Sequence, residues 1–343
     1  MSKFLRSAVL VCLLGIVAGC GQNPVDEPLR FQGQAMGTSY SVIVYAPERE
    51  KLRLEVGIQR RLADVVSTMS TYEPESDVSR FNRAPTDLWV PVSADVVKVV
   101  QASLDLAAQT QGAFEPSILP LVNIWGFGPL ARPEEIPTEA ELTEALAMVG
   151  WEAIDVQVDP PALRKRAPRE IDLSAIAKGF GADRVAEYLL ELGYNRFLVE
   201  IGGDMRTSGI KPDGTGWRVG IETPEPGISR QAYRIVELVE DTAIVTSGDY
   251  RNYFEVDGQR YAHTLDPATG FPVTHRLASV SVLAENAMLA DGWATALTVM
   301  QPDDAFALAE TIGLSVYLIE RGANGFEERM TGEFKHLLGA GVE

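Results

Sequence analysis

The densest chemistry in this 343-residue chain lies between residues 171 and 183, where Asp172, Ser174 and Lys178 stand beside Gly179 and Gly181. A carboxylate, a hydroxyl and an ammonium next to two glycines suit an anionic ligand. Glycines admit close approach of the backbone, and the free N–H groups of a starting helix favour negative charge. The pattern predicts an apolar strand through Ile171 that gives way to a helix, with a phosphate-binding turn at the junction. A plain tight turn with Asp172 as a helix cap is the other reading. Asp291 and Thr295 form a second group, set in the otherwise apolar stretch 287–300. Four residues apart on a helix, they share a face. A carboxylate in such surroundings needs a cation or donor against it. It is either one half of a buried ion pair or, with the hydroxyl, a ligand for a metal. His263 ends a strand and enters the oxygen-rich, turn-forming run 263–272, where it serves either as a structural residue or as a group that moves a proton. Glycine–carboxylate turns at strand ends, Gly202-Gly203-Asp204 and Gly248-Asp249, complete the set, at positions where α/β proteins bind ligands.

Composition limits what these groups can serve. A formal charge of −18 argues against nucleic acid as a partner, and an acidic protein that binds a phosphorylated ligand needs a cation. With three histidines (His263, His275, His336) and no cysteine pair in the body of the chain, zinc and iron are disfavoured. Any metal is expected to be hard and oxygen-bound, magnesium first. Lys3 and Arg6 precede an apolar stretch, 7–17, too short to span a bilayer, and Val17-Ala18-Gly19-Cys20 follows. Residues 1–19 therefore read as a signal cut before Cys20, in a pattern that resembles the bacterial lipobox. Acylation of Cys20 would tether the exported protein to a membrane. Cys12 leaves with the signal, so the folded body carries no thiol. Residues 20–30, with two prolines, read as a tether, and 31–343 as one mixed α/β domain.

The elements that must position these groups follow from periodicity. Alternation predicts strands over 39–45, 197–201, 217–221, 233–239, 243–246, 277–283 and 314–319, and a hairpin of 252–256 with 261–265 around Asp257-Gly258. Helical spacing predicts helices over 52–69, from the Ser93 cap to Gly112, from a Thr138/Glu141 capping box to Gly150, up to Gly193, and over 285–300 and 303–312. Residues 70–82 read as a polar loop and 121–129 as a packed, aromatic one.

In order and number, these segments resemble the ApbE family of lipoprotein flavin transferases. The resemblance runs from residue 36 to the end of the chain. It rests on Met36-Gly37-Thr38, Ser70-Thr71-Tyr72, Ser79-Arg80-Phe81-Asn82, Pro120-Leu121-Val122-Asn123, Asp172-Leu173-Ser174 with Ala177-Lys178-Gly179, and Ile201-Gly202-Gly203-Asp204. The 263–272 block and Asp291-Gly292 with Ala294-Thr295-Ala296 complete it. It implies a single large α/β domain of mixed, largely antiparallel sheets with flanking helices. It also implies magnesium-dependent transfer of FMN from FAD to a threonine hydroxyl of an exported acceptor protein, with release of AMP. FAD would lie against Met36, Tyr72, Ala113, Phe114, Glu115, Asp172, Lys178 and Leu265. Magnesium would lie between the carbonyls of Ala175 and Ala294 and the side chains of Asp291 and Thr295. Lys178 would help neutralise the diphosphate, and His263 is the expected base for the acceptor hydroxyl. The family commonly has Asp where this chain has Glu115 and Gly where it has Leu119, which leaves adenine or ribose contacts in that loop open. The expected location is periplasmic. The lipid anchor could lie in either membrane, since Gly21 is not a retention aspartate, and an inner-membrane acceptor would favour the inner one. Two other readings use the same site: an FAD pyrophosphatase in which water replaces threonine, and a flavin-binding lipoprotein without turnover.

Overall fold

In the computed structural model, residues 27–130, 132, 135–225, 231–248, 253–256 and 259–339 are described. The chain opens with a hairpin of β1 (Leu29–Ala35) and β2 (Thr38–Val44), then helix α1 (Lys51–Met69). Next come α2 (Asp77–Arg83), β3 (Val90–Pro91), α3 (Ala94–Gln109), α4 (Leu119–Ile124), α5 (Glu139–Ala147), β4 (Ile154–Gln157), β5 (Ala162–Lys165) and α6 (Ser174–Glu191). Strands follow: β6 (Phe197–Ile201), β7 (Asp204–Ser208), β8 (Trp217–Glu222), β9 (Ala232–Leu238), β10 (Thr242–Gly248), β11 (Tyr253–Val256), β12 (Gln259–Ala262) and β13 (Leu277–Ala284). The last elements are α7 (Ala287–Val299), α8 (Pro302–Ile312), β14 (Ser315–Gly322), β15 (Gly325–Met330) and α9 (Gly332–Gly339).

Eight of these strands form one sheet in the order β1-β2-β6-β7-β10-β13-β14-β15, and each neighbouring pair is antiparallel. Alternate residues serve two cores. Val42 and Val44, Val199 and Ile201, Val316 and Leu318 join the core beneath α1, α3, α6 and α7. Ile43 and Tyr45, Leu198, Tyr317 and Ile319 face a second cluster with Trp217, Val236 and Phe334 from the β8–β9 hairpin and α9. A sheet covered on both faces explains why β13 and β14 are buried almost throughout rather than on alternate residues. Among the described residues no helix is long and apolar enough to cross a membrane.

Register gathers the chemistry at one end of this sheet. Met36 and Gly37 both take positive φ, 52° and 72°, and close β1 onto β2 in two residues. Gly202 and Gly203, at 60° and 104°, do the same between β6 and β7. Because Tyr40 pairs with Ile201 and Ile244 with Met205, both turns, Asp204 and the C-terminal end of β10 share one edge.

Several expectations need correction. Residues 170–173 form no strand: the N–H and C=O of Ile171 are taken by the Asn82 side chain, at 2.8 and 2.9 Å, in place of a ladder. Gly179 and Gly181 do not form a turn but lie inside α6. Residues 70–82 contain the helix α2, capped by Ser76, and 121–129 begins in α4. The chain continues past β14 into β15 and α9, and β1 takes residues 29 and 30 from the expected tether. Strands β3, β4, β5 and β7 lack an expected counterpart, and the second hairpin strand, expected over 261–265, is β12 over Gln259–Ala262, so His263 lies just beyond it. The Thr138/Glu141 capping box does open α5, and β11 does pair with β12. The Asp257-Gly258 turn, Asp249, the signal and Cys20 lie outside the described residues.

The two glycines of α6 make room rather than bind. A Cβ on Gly179 would overlap the Ala287 carbonyl of α7, and one on Gly181 would meet Met36 Sδ at 2.7 Å. Gly179→Ala is expected to push α6 and α7 apart and cost about 1–3 kcal/mol as overpacking, read as a lower denaturant midpoint. Gly332→Ala, which meets nothing within 4 Å, should stay within about 0.5 kcal/mol of the parent.

Candidate active site

Helices α6 and α7 cross closely at the glycine contact, and this brings Lys178 over Asp291. Lys178 Nζ donates to Asp204 Oδ2 at 2.9 Å and reaches both oxygens of Asp291 at 3.3 Å, while the Gly179 N–H donates to Asp291 Oδ2 at 3.1 Å. Asp204, at the β6–β7 turn, and Asp291 are 2% and 1% exposed. Burial works against the Lys178 ammonium, but attraction to Asp204 and Asp291 outweighs it and holds the group firmly protonated. Burial, and then repulsion from Asp204, push the Asp291 carboxyl well above the usual carboxylate range, against the pull of Lys178. Two carboxylates share one ammonium, so the cluster is one positive charge short when both are ionised.

The Thr295 hydroxyl, one turn beyond Asp291, donates to the Ala175 carbonyl at 3.4 Å. An ionisable carboxylate, a hydroxyl and a carbonyl oxygen, beside a charge deficit, are donors of the hard type that magnesium takes. The residues therefore fit such an ion. Ala294, the remaining residue of the expected metal set, is fully buried and outside the cavity lining. Its carbonyl accepts Thr298 Oγ1 at 2.7 Å. Among the described residues no group of three His, Cys, Asp or Glu side chains is arranged to hold a metal.

The cluster forms part of the wall of a cavity of about 760 Å³, which the other expected ligand residues also line: Met36, Tyr72, Ala113, Phe114, Glu115, Asp172 and Leu265. Asp172, two residues before α6, accepts the Ser174 N–H at 2.8 Å. Surrounding protein pushes its carboxyl upward, with the Ser174 bonds opposing. Tyr72 is 65% exposed, its hydroxyl donating to the Phe127 carbonyl at 3.3 Å, which leaves a ring face open to a planar ligand. Glu115 is different. Its carboxylate accepts the N–H and hydroxyl of Ser117 at 2.8 and 2.7 Å and the Trp151 N–H at 3.1 Å, so its oxygens tie the loop together. The departure from the family's Asp falls on a side chain already engaged inside the protein.

His263 follows β12 at the cavity wall, with the Phe127 ring edge-on at 6.4 Å. An aromatic cluster holds this segment. Trp125 stacks on Tyr261 at 5.5 Å, meets Phe271 at 5.7 Å, and donates through Nε1 to the Gly270 carbonyl at 2.7 Å. The 264–272 loop is tied together internally, since Asp266 accepts from the Ala268 N–H and the Thr269 hydroxyl at 2.9 and 3.0 Å. The sequence singles out the Gly202-Gly203-Asp204 turn but gives its carboxylate no role. It also shows Phe127 only as loop packing and does not mark Thr246 as a cavity residue. Acidic residues directly after glycine turns at strand ends are the available signal for Asp204.

Known proteins resemble this chain in sequence and fold. Residues 36–318 match the ApbE family. A protein from Vibrio cholerae named FAD:protein FMN transferase is 40% identical over 335 residues, covering 96% of this chain and 98% of the relative. One of the same name from Haemophilus influenzae is 39% identical over 346 residues, covering 98% and 99%. The solved structure of flavin transferase ApbE from Vibrio cholerae superposes with a TM-score of 0.83 at 39% identity, over 91% of this chain and 99% of that one. With the family match, the fold and near-complete coverage of its relatives in agreement, this chain belongs to the ApbE family.

Proposed function

We propose that this protein is an FAD:protein FMN transferase: it moves FMN from FAD to a threonine hydroxyl of an exported acceptor protein and releases AMP. The observation that carries the reading is a cavity whose wall joins the Lys178–Asp204–Asp291 cluster, Asp172 and His263 from distant parts of the chain. The names of the relatives support the same reaction. Asp291, Thr295 and the Ala175 carbonyl would hold magnesium, which when bound there supplies positive charge to a diphosphate and polarises its phosphorus.

The chain's own groups do the rest. Lys178, held cationic by its two carboxylates, offers a fixed positive charge to the phosphate oxygens. The exposed face of Tyr72 and the Met36 turn provide surface for a flat ring. His263 accepts the proton of the acceptor hydroxyl as its oxygen bonds to the FMN phosphorus. The bond between that phosphorus and the bridging oxygen breaks, and AMP departs with the oxygen and the electron pair. Cys20, acylated after loss of residues 1–19, would anchor the protein on the periplasmic side of a membrane, the inner one where the acceptor resides there.

The test is incubation with FAD, magnesium and a candidate exported acceptor, read by in-gel flavin fluorescence and intact mass. Fluorescence should appear on the acceptor, vanish when its target threonine is alanine, and vanish on chelation. Free FMN formed at the same rate without acceptor would favour the pyrophosphatase, and FAD bound without any turnover the binding protein. Metabolic labelling with a fatty acid, lost in Cys20→Ala, tests the anchor.

A further inference from the structure

Two helices carry the candidate metal donors, and one side chain outside the cavity ties them together. Asp183, on α6 and 3% exposed, accepts the N–H groups of Ala287 and Met288, the first residues of α7, each at 2.9 Å. Arg206 of β7 holds the same carboxylate from the sheet side at 2.7 Å. Asp183 thus caps a helix to which it does not belong, using both oxygens on two N–H groups that have no partner within their own helix. The α7 helix has its own cap as well, since the Asn286 side chain accepts the Leu289 N–H at 2.9 Å. A second cap is unnecessary for forming the helix. What it adds is position: Asp183 lies on the same helix as Ala175 and Lys178, and the N–H groups it binds lead directly into the turn that carries Asp291 and Thr295. The glycine contact at Gly179 lets the helices approach, and the ties there, from Lys178 and the Gly179 N–H, run to Asp291 itself, so Asp183 fixes the register through groups other than the ligand side chains.

We propose that Asp183 is a positioning residue that sets the register of α7 on α6, and thereby the placement of Asp291 and Thr295 against the Ala175 carbonyl for binding a divalent cation. The inference rests on the metal reading given above. Groups that orient metal ligands from outside the coordination sphere typically change metal affinity by ~10- to 100-fold.

Magnesium titrations of thermal stability and of flavin transfer test it in the full protein. Stabilisation by a bound ion follows its concentration, so the first readout does not depend on catalysis. Asp183→Asn keeps the shape but weakens the double cap and the Arg206 pair. It should raise the magnesium concentration needed for half-maximal stabilisation and for half-maximal transfer by about tenfold. The rate at saturating magnesium should approach that of the parent. Asn286→Ala, which removes the helix's own cap, should lower the unfolding midpoint and leave both titrations in place. Asp183→Glu should recover part of the loss. If Asp183→Asn does not fold, Arg206→Gln loosens the same carboxylate and should move the titrations in the same direction. A magnesium-responsive parent with an unmoved Asp183→Asn, or an equal shift in Asn286→Ala, overturns the inference alone. A parent indifferent to magnesium overturns the metal reading and this inference with it.

Discussion

Replacing His263 with alanine is expected to lower flavin transfer by ~10²- to 10⁴-fold, the range that a positioned general base contributes, while FAD still binds. The expectation follows from the place of His263 on the cavity wall and from the chemistry of its imidazole. Lys178 is held protonated by Asp204 and Asp291 and has no lone pair to offer. Asp291 faces that ammonium and the Gly179 N–H, and the Glu115 oxygens are taken by Ser117 and Trp151. Asp172 gives one oxygen to the Ser174 N–H just before α6, and burial pushes its carboxyl upward. Imidazole is the side chain suited to exchanging a proton near neutral pH, and His263 stands where an internally tied loop leaves a strand. The readouts are the initial rate of acceptor labelling and, separately, FAD affinity by fluorescence quenching. Transfer within a few-fold of the parent would move the base elsewhere.

Asp291→Asn is expected to abolish transfer and to remove the stabilising effect of magnesium, while the protein stays folded. The amide keeps an acceptor for the Gly179 N–H, and loss of one carboxylate leaves Lys178 and Asp204 as a balanced pair, so the charge deficit that favours a divalent cation disappears. The same substitution has a signature in pH. A carboxyl whose pKa is raised on folding binds its proton better in the native state. The metal-free parent therefore loses stability as pH rises from the ordinary carboxylate range through the raised value. Asp291→Asn should lack that component, and magnesium should suppress it in the parent. Denaturant midpoints across pH, with and without magnesium, provide the measurement. A variant that still transfers flavin, or a parent and variant with the same pH profile, would remove Asp291 from the metal site.

Much of this site is legible in the amino-acid sequence because its signals are local. Asp291 and Thr295 are four apart in an apolar helix, so they share a face wherever that helix packs. Thr138 and Glu141 cap a helix by contacts three residues long. Five strands of the central sheet, β2, β6, β10, β13 and β14, show in their apolar runs, whereas β1, β7 and β15 do not. The glycines of 171–183 mislead for the same reason. A Gly-x-Gly reads locally as a turn, and only the approach of α7 explains two glycines within a helix. Ile171 reads as a strand residue because its polar backbone groups find their partner in Asn82, 89 residues away.

By itself, the sequence determined the inventory: which residues carry charge, hydroxyl or imidazole, on which kind of element, and with which neighbours along the chain. It also determined the family, through the order of motifs that are each weak alone. Tertiary structure alone decided which charges meet. Lys178 lies 26 residues from Asp204 and 113 from Asp291, and their contact depends on the β6–β7 turn and on the register of two helices. Only packing set the depth of Ala294, which is fully buried with its carbonyl accepting the Thr298 hydroxyl. Periodicity records which face of an element is apolar, but not which other element will cover it. That choice is made by sheet register and close approach, which depend on residues far apart in the chain.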